Sequence, residues 1–244
     1  MLLHIKDTDV NYIRYGNAEG QTLVFLHGWG QNIQMMKPVA DPFEEKFDLI
    51  ILDLPGYGQS TEPKYPWTVE DYVECIKDLL DTLKVKNPTL IGHSFGGKIS
   101  LLYASKYSVN QLILFGSPYK KEIEKLSLKT KTLKALKKVP GINKFENFAK
   151  KHIGSEDYRK ASKVMREILV LTVNLDITEE VKKITAPTLI IWGSLDEAVD
   201  VQRAHELEQL IPGAGLIVYE NCTHYAYLEN LNQTIQVLNS FLNN

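Results

Sequence analysis

Six short runs along the chain are almost wholly apolar: 22–26, 47–52, 89–91, 111–116, 188–192 and 215–219. Each is too short for a helix and lacks the polar alternation of a half-exposed strand. They read as strands buried on both faces, the pattern of a parallel sheet. Residues 1–20 differ. Leu3 and Ile5, then Val10, Tyr12 and Tyr15, alternate weakly on either side of Asp7-Thr8-Asp9, which predicts a β-hairpin. Between the apolar runs the period changes to that of a helix. Val73, Ile76, Leu79, Leu80 and Leu83 mark one helix that starts at Thr68, with Asp71 at the capping-box position. Others are predicted over 33–43, 98–104, 201–210 and 225–241. Buried strands alternating with helices predict an α/β fold, a doubly wound parallel sheet with helices on both faces.

The alternation stops between 118 and 186, which holds no convincing buried strand. Leu126, Leu133, Leu136 and Val139 recur at near-helical spacing until Pro140-Gly141 breaks the run. Phe145, Phe148 and Ile153 suggest a second helix. Val164, Ile168, Leu169 and Leu171 suggest a third, and 177–184 a short fourth. So many regularly spaced apolar residues argue against disorder. We read 118–186 as a helical cap inserted into a core domain made of 1–117 and 187–244. The cap has its own charge character. From Lys120 to Lys163 there are 14 Lys and Arg against 5 Asp and Glu, in a chain of net charge −2. The solvated faces of amphipathic helices account for this. Steering of an anionic substrate, or loose attachment to an anionic surface, is the alternative.

Composition narrows the class. Hydrophobic residues are 44% and charged residues 24%, as in ordinary globular domains. No apolar run is long enough to span a bilayer, and the N-terminus lacks the basic and apolar regions of a signal peptide. Cys75 and Cys222 stand far apart and in no metal-ligand spacing, which reads as two reduced thiols. A cytoplasmic protein without disulfides is expected, with neither nucleic-acid binding nor stable membrane insertion, as a monomer or homodimer.

The candidate chemistry centres on Gly92-His93-Ser94-Phe95-Gly96. A strand precedes it and a helix follows. A serine on so sharp a turn is strained, and glycines two positions either side remove collisions. Its hydroxyl would stand at a helix N-terminus, where developing negative charge is favoured. The alternative is a serine that merely caps a helix. A serine nucleophile needs a base, usually a histidine oriented by a carboxylate. Of six histidines, His4 lies in the hairpin, His152 in the cap and His205 within a helix. His27 opens a glycine loop. His93 adjoins Ser94, and neighbours on a sharp turn point apart. His224, between the last strand and last helix, is left as the base. Asp196, Glu197 and Asp200 follow the 188–192 strand; Asp196 lies nearest its end and is preferred, with Asp200 the fallback. Asp53, followed by Pro-Gly, reads as a turn stabiliser. Backbone N–H groups of Phe95 and Trp29 are candidates for an oxyanion hole. His27, Gly28, Tyr119 and Tyr225 are candidate substrate contacts. For His27 loop support, and for the aromatics core packing, is the alternative.

The elements His-Gly-Trp-Gly (27–30), Asp-Leu-Pro-Gly-Tyr-Gly-Gln-Ser (53–60), Gly-His-Ser-Phe-Gly-Gly (92–97), Gly-Ser-Leu-Asp (193–196) and Thr-His (223–224) together resemble the α/β-hydrolase fold. The resemblance covers the chain outside the cap. It implies an eight-stranded, mostly parallel sheet with a helical lid after the sixth strand, here 111–116. It implies a triad of Ser94, Asp196 and His224, and an oxyanion hole at Trp29 and Phe95. The implied activity is hydrolysis of a small-molecule carboxylic ester, thioester or lactone without metal or organic cofactor. Lys98 departs from the pattern, since many relatives carry an apolar residue there. A basic residue resembles the menaquinone-pathway lyases of this fold. We expect Lys98 on the solvated side of its helix. C–C bond hydrolysis, lyase chemistry or non-catalytic ligand reception remain alternatives on the same fold.

Overall fold

The computed structural model describes residues 1–121 and 161–243. The predicted helices over 126–139 and 145–153, and His152, lie outside these residues. Eight strands form one sheet: β1 (Leu2–Ile5), β2 (Thr8–Gly16), β3 (Thr22–Leu26), β4 (Asp48–Leu52), β5 (Thr89–His93), β6 (Gln111–Phe115), β7 (Thr188–Gly193) and β8 (Gly215–Tyr219). Their spatial order is β1-β2-β4-β3-β5-β6-β7-β8. The hairpin pairs antiparallel and joins β4 antiparallel; every later pairing is parallel.

Successive strand residues serve opposite layers. Val24, Leu26, Ile50, Leu52, Leu90, Leu112, Leu114, Ile190 and Trp192 belong to one core. It is covered by α2 (Val69–Thr82), α3 (Phe95–Lys106) and α6 (Gln202–Leu210). Leu23, Phe25, Leu49, Ile51, Ile91, Ile113, Phe115, Leu189 and Ile191 belong to the other. It is covered by α1 (Ile33–Ala40), α7 (Ala226–Glu229) and α8 (Leu231–Leu242). Two-sided burial is why these strands are apolar without alternation.

Helix starts follow local chemistry. Thr68 and Asp71 form the expected capping box ahead of α2. The helix predicted over 33–43 ends at Ala40 and tightens into a 3-10 turn, Asp41–Phe43, around Pro42. The final helix is divided. Asn230, at φ −120°, separates α7 from α8, and Glu229 turns back onto Thr223 instead of continuing a helical face.

The chain between β6 and β7 leaves and rejoins the core close together. Ile177 N–H donates to the Tyr119 carbonyl at 2.9 Å. Its described return arm is α4 (Lys163–Asn174) and α5 (Thr178–Val181). Met165, Ile168, Ile177 and Val181 from this arm enter the same core as α3. The expectation for Lys98 is overturned here. Every residue of α3 from Phe95 to Tyr103 is buried, so the helix has no solvated side. Lys98 is 1% exposed, and its Nζ donates to the carbonyls of Thr172 at 2.8 Å and Leu175 at 2.6 Å. These lie at the carboxyl end of α4, where unpaired carbonyls favour a cation.

Burial pushes the Lys98 ammonium down to about 8 from its ordinary 10.5. Between those values the unfolded chain keeps a proton that the folded chain has released, so stability at this group rises with pH across that window. Denaturant titrations at several pH values should show wild type gaining on Lys98→Met from pH 8 upward. At pH 7 the variant, with two buried carbonyls left without their donor, should be less stable by about 2 kcal/mol or more. A variant as stable as wild type at every pH would mean the two bonds carry nothing.

Candidate active site

The site is assembled at the carboxyl ends of β3, β5, β7 and β8, on either side of the point where the sheet order turns from β4 back to β5. Open parallel sheets place their ligand crevices there. Ser94 sits between β5 and α3 at φ 51°, ψ −110°, a left-handed conformation rare for a residue with a side chain. Ser94 N–H donates to the Phe115 carbonyl at 2.9 Å, which fixes the turn to β6. The hydroxyl makes no capping bond to α3, which removes the reading of Ser94 as an ordinary helix cap. The glycines are required by contact. A Cβ at Gly96 would stand 2.2 Å from the Leu26 carbonyl oxygen, and one at Gly92 2.6 Å from Gly97 Cα. Both obstacles are backbone, so neither can rotate aside.

Asp196 follows β7 in a tight turn. Its Oδ1 accepts from the backbone N–H groups of Ala198 at 2.8 Å and Val199 at 2.9 Å. Its Oδ2 lies 2.7 Å from His224 Nδ1. The Asp196 side chain is fully enclosed, and that of His224 is 15% exposed. Three contacts on one carboxylate hold it aimed at His224. Asp200, the fallback, accepts from Gln202 N–H at 3.0 Å at the start of α6. The His224 ring packs over Gly116, where a Cβ would stand 3.0 Å from Nδ1. Glu229 holds the same loop from below, accepting from Thr223 N–H at 2.7 Å and from the Thr223 hydroxyl.

Among the described residues, neither Trp29 N–H nor Phe95 N–H has a hydrogen-bond acceptor. Their rings lie 5.6 Å apart, and Tyr57 packs edge-on against both. Gly96 N–H donates to the His27 carbonyl at 3.1 Å, pinning the loop after β3 to the first turn of α3.

Three candidate substrate contacts are placed otherwise than expected. His27 is wholly buried; its Nδ1 donates to the Gly28 carbonyl at 2.7 Å and its Nε2 accepts from Leu54 N–H at 2.9 Å. Burial pushes its pKa down to about 4, so the ring is neutral. It supports the loop and presents no free polar atom. Gly28 is buried against the His93 ring, and its N–H is engaged by Gln31 Oε1 at 2.9 Å. Tyr119 is 1% exposed and donates its hydroxyl to Glu206 Oε2 at 2.5 Å. Arg203 and Lys120 also pair with Glu206 and, with the tyrosine, hold its carboxyl down to about 2. Tyr225 does face solvent, 5.4 Å from the His93 ring and 5.7 Å from that of His224.

Asp53 behaves as its Pro-Gly context implied. It is buried and accepts from Ile33 N–H, Gln59 N–H and Asn11 Nδ2, each at 2.8 Å. Cys75 is buried and Cys222 half-buried, both free thiols. Among the described residues no three His, Cys, Asp or Glu side chains are grouped to hold a metal ion. No helix among them is long and apolar enough to cross a membrane.

Comparison with known proteins agrees with this architecture. The pimeloyl-[acyl-carrier protein] methyl ester esterase of Aliivibrio fischeri is 27% identical over 250 residues, spanning 93% of this chain and 95% of the relative. The proline iminopeptidase of Saccharolobus solfataricus is 28% identical over 268 residues, spanning 92% and 86%. The crystal structure of the enol-lactonase from Burkholderia xenovorans superposes with a TM-score of 0.78 over the whole of both chains, at 20% identity, a likeness of fold. A family model described as the alpha/beta hydrolase fold matches residues 21–133 and 126–231. With that match extending over most of its length, the chain belongs to the alpha/beta hydrolase fold family.

Proposed function

We propose that the protein is a serine hydrolase of small-molecule carboxylic esters, with thioesters and lactones within the same chemistry. The observation that carries this reading is the enclosed Asp196 Oδ2–His224 Nδ1 bond of 2.7 Å. It stands at the same sheet edge as a strained serine whose hydroxyl is not used to cap its helix. The 27% identical methyl ester esterase supports the ester bond as the target.

In this mechanism Ser94 Oγ attacks the ester carbonyl while His224 Nε2 takes the hydroxyl proton. Asp196, holding Nδ1, fixes the tautomer and stabilises the imidazolium. The tetrahedral oxyanion accepts from the N–H groups of Phe95 and Trp29. Collapse expels the alcohol, which takes its proton from His224. Water then attacks the acyl-enzyme with His224 again as base, releasing the acid and restoring Ser94. The steps call on no metal or organic cofactor. The insertion 118–186 is read as a cap whose inner face sets which acyl groups fit. Its described arm supports this by rejoining the core beside α3.

The similarity to a proline iminopeptidase makes amide cleavage the nearest competing reading. The lyase-like alternative rested on a basic residue at position 98. With Lys98 Nζ bonded to two carbonyls away from solvent, that position does not favour it.

Two measurements test the assignment. Steady-state turnover of p-nitrophenyl esters from acetate to laurate should be robust, and Ser94→Ala should lower kcat by about 10⁴-fold or more. Ester turnover that persists in Ser94→Ala would rule out the nucleophile. Asp196→Asn should lower kcat by a comparable factor, because His224 then adopts the wrong tautomer, whereas Asp200→Asn should stay near wild type. The reverse ranking would transfer the acid role to Asp200.

A further inference from the structure

His93 precedes the proposed nucleophile and takes no part in the mechanism above, yet it is wholly buried. Its ring lies against three components of the site. Nε2 is 3.1 Å from the His224 carbonyl oxygen, and Nδ1 is 3.1 Å from Gln31 Oε1. The same Gln31 oxygen accepts from Gly28 N–H at 2.9 Å. The ring lies tilted against its neighbours, its centroid 4.8 Å from those of both His224 and Tyr227 and 5.4 Å from that of Tyr225. It also fills the space in which a Cβ at position 28 would stand, 2.8 Å from Nδ1. One imidazole therefore touches the main chain of the residue assigned as base and the loop that carries Trp29, and is joined through its own backbone to Ser94.

From this arrangement we infer that His93 is a positioning residue, which fixes the spacing between nucleophile, base and oxyanion loop. The inference rests on the serine-hydrolase reading of the same site. A carbonyl can only accept, so Nε2 is the donor to His224. Burial and the neighbouring His224 keep the His93 pKa well below its ordinary value, so the ring is neutral with a single N–H. That N–H holds the His224 main chain, Nδ1 is left without a proton to give Gln31 Oε1, and the ring meets the loop after β3 by packing on Gly28.

A suitable readout is the rate constant for phosphonylation of Ser94 by a fluorophosphonate probe, which needs the nucleophile, base and oxyanion donors but no particular substrate. His93→Phe keeps the ring's shape and removes the donor. It should slow labelling by about 10²-fold, the scale of a misplacement near 1 Å, with wild-type circular dichroism. His93→Gln, whose Nε2–H can reach the His224 carbonyl, should recover most of that loss. A merely structural role predicts no such recovery. Gln31→Leu, which leaves the His93 bond to His224 intact, should slow labelling by less and serves if His93→Phe does not fold. Wild-type labelling in both His93→Phe and Gln31→Leu, or a Gln variant as slow as Phe, would overturn the positioning role alone. A wild-type protein that fails to label at Ser94 would overturn the serine-hydrolase reading, and this inference with it.

Discussion

The backbone at Ser94 is the constraint on which the carboxyl edge of the sheet depends. A side-chain-bearing residue at φ 51°, ψ −110° costs on the order of 1–3 kcal/mol and persists only where its surroundings leave no alternative. Here β5 is hydrogen-bonded on both sides, to β3 and β6, and α3 is buried along its first nine residues. Ser94 N–H is tied to β6 and Gly96 N–H to the end of β3. The strain is thus distributed over three parallel strands that cannot relax separately. The glycines at 92 and 96 let α3 approach β3 closely enough for those ties to form.

The loops around the elbow are ordered by internal polar contacts. Parallel strands end in loops that bury backbone groups, and each such group needs a partner. Asp53 supplies acceptors to three segments at once, the hairpin, the start of α1 and the turn before Ser60. His27 serves as both donor and acceptor in a pocket that excludes solvent. Glu229 accepts from the Thr223 N–H and hydroxyl in the His224 loop. These residues are charged or titratable, yet their task is to satisfy neighbouring main chain.

How much of this could be read from the sequence differs from element to element. Six strands are legible as apolar runs, which two-sided burial favours, and the first two as an alternating hairpin. The pairing of Asp196 with His224 follows from the place of each in a loop soon after such a run, at one edge of the sheet. Lys98 was misread because a lysine in a helix ordinarily signals its wet face, and only tertiary packing shows that α3 has none. His93 was set aside on a local rule, that adjacent side chains diverge. Diverging from Ser94 is what carries its ring toward the His224 main chain, 131 residues further on. Tyr119 and His27 each follow a strand closely, and spacing alone does not separate a residue lining a crevice from one holding its wall. The break at Asn230 follows from Glu229 bonding Thr223, again a contact outside the helical period.

The distribution of the site along the chain has a consequence for biosynthesis. The strained turn at Ser94 is complete in sequence before residue 100, but the Asp196–His224 pair joins the turn after β7 to the loop after β8. A polypeptide still emerging from the ribosome carries a strained serine without its histidine, and N-terminal segments are the first to fold. The carboxyl edge of the sheet is therefore completed only when the last strand docks on β7.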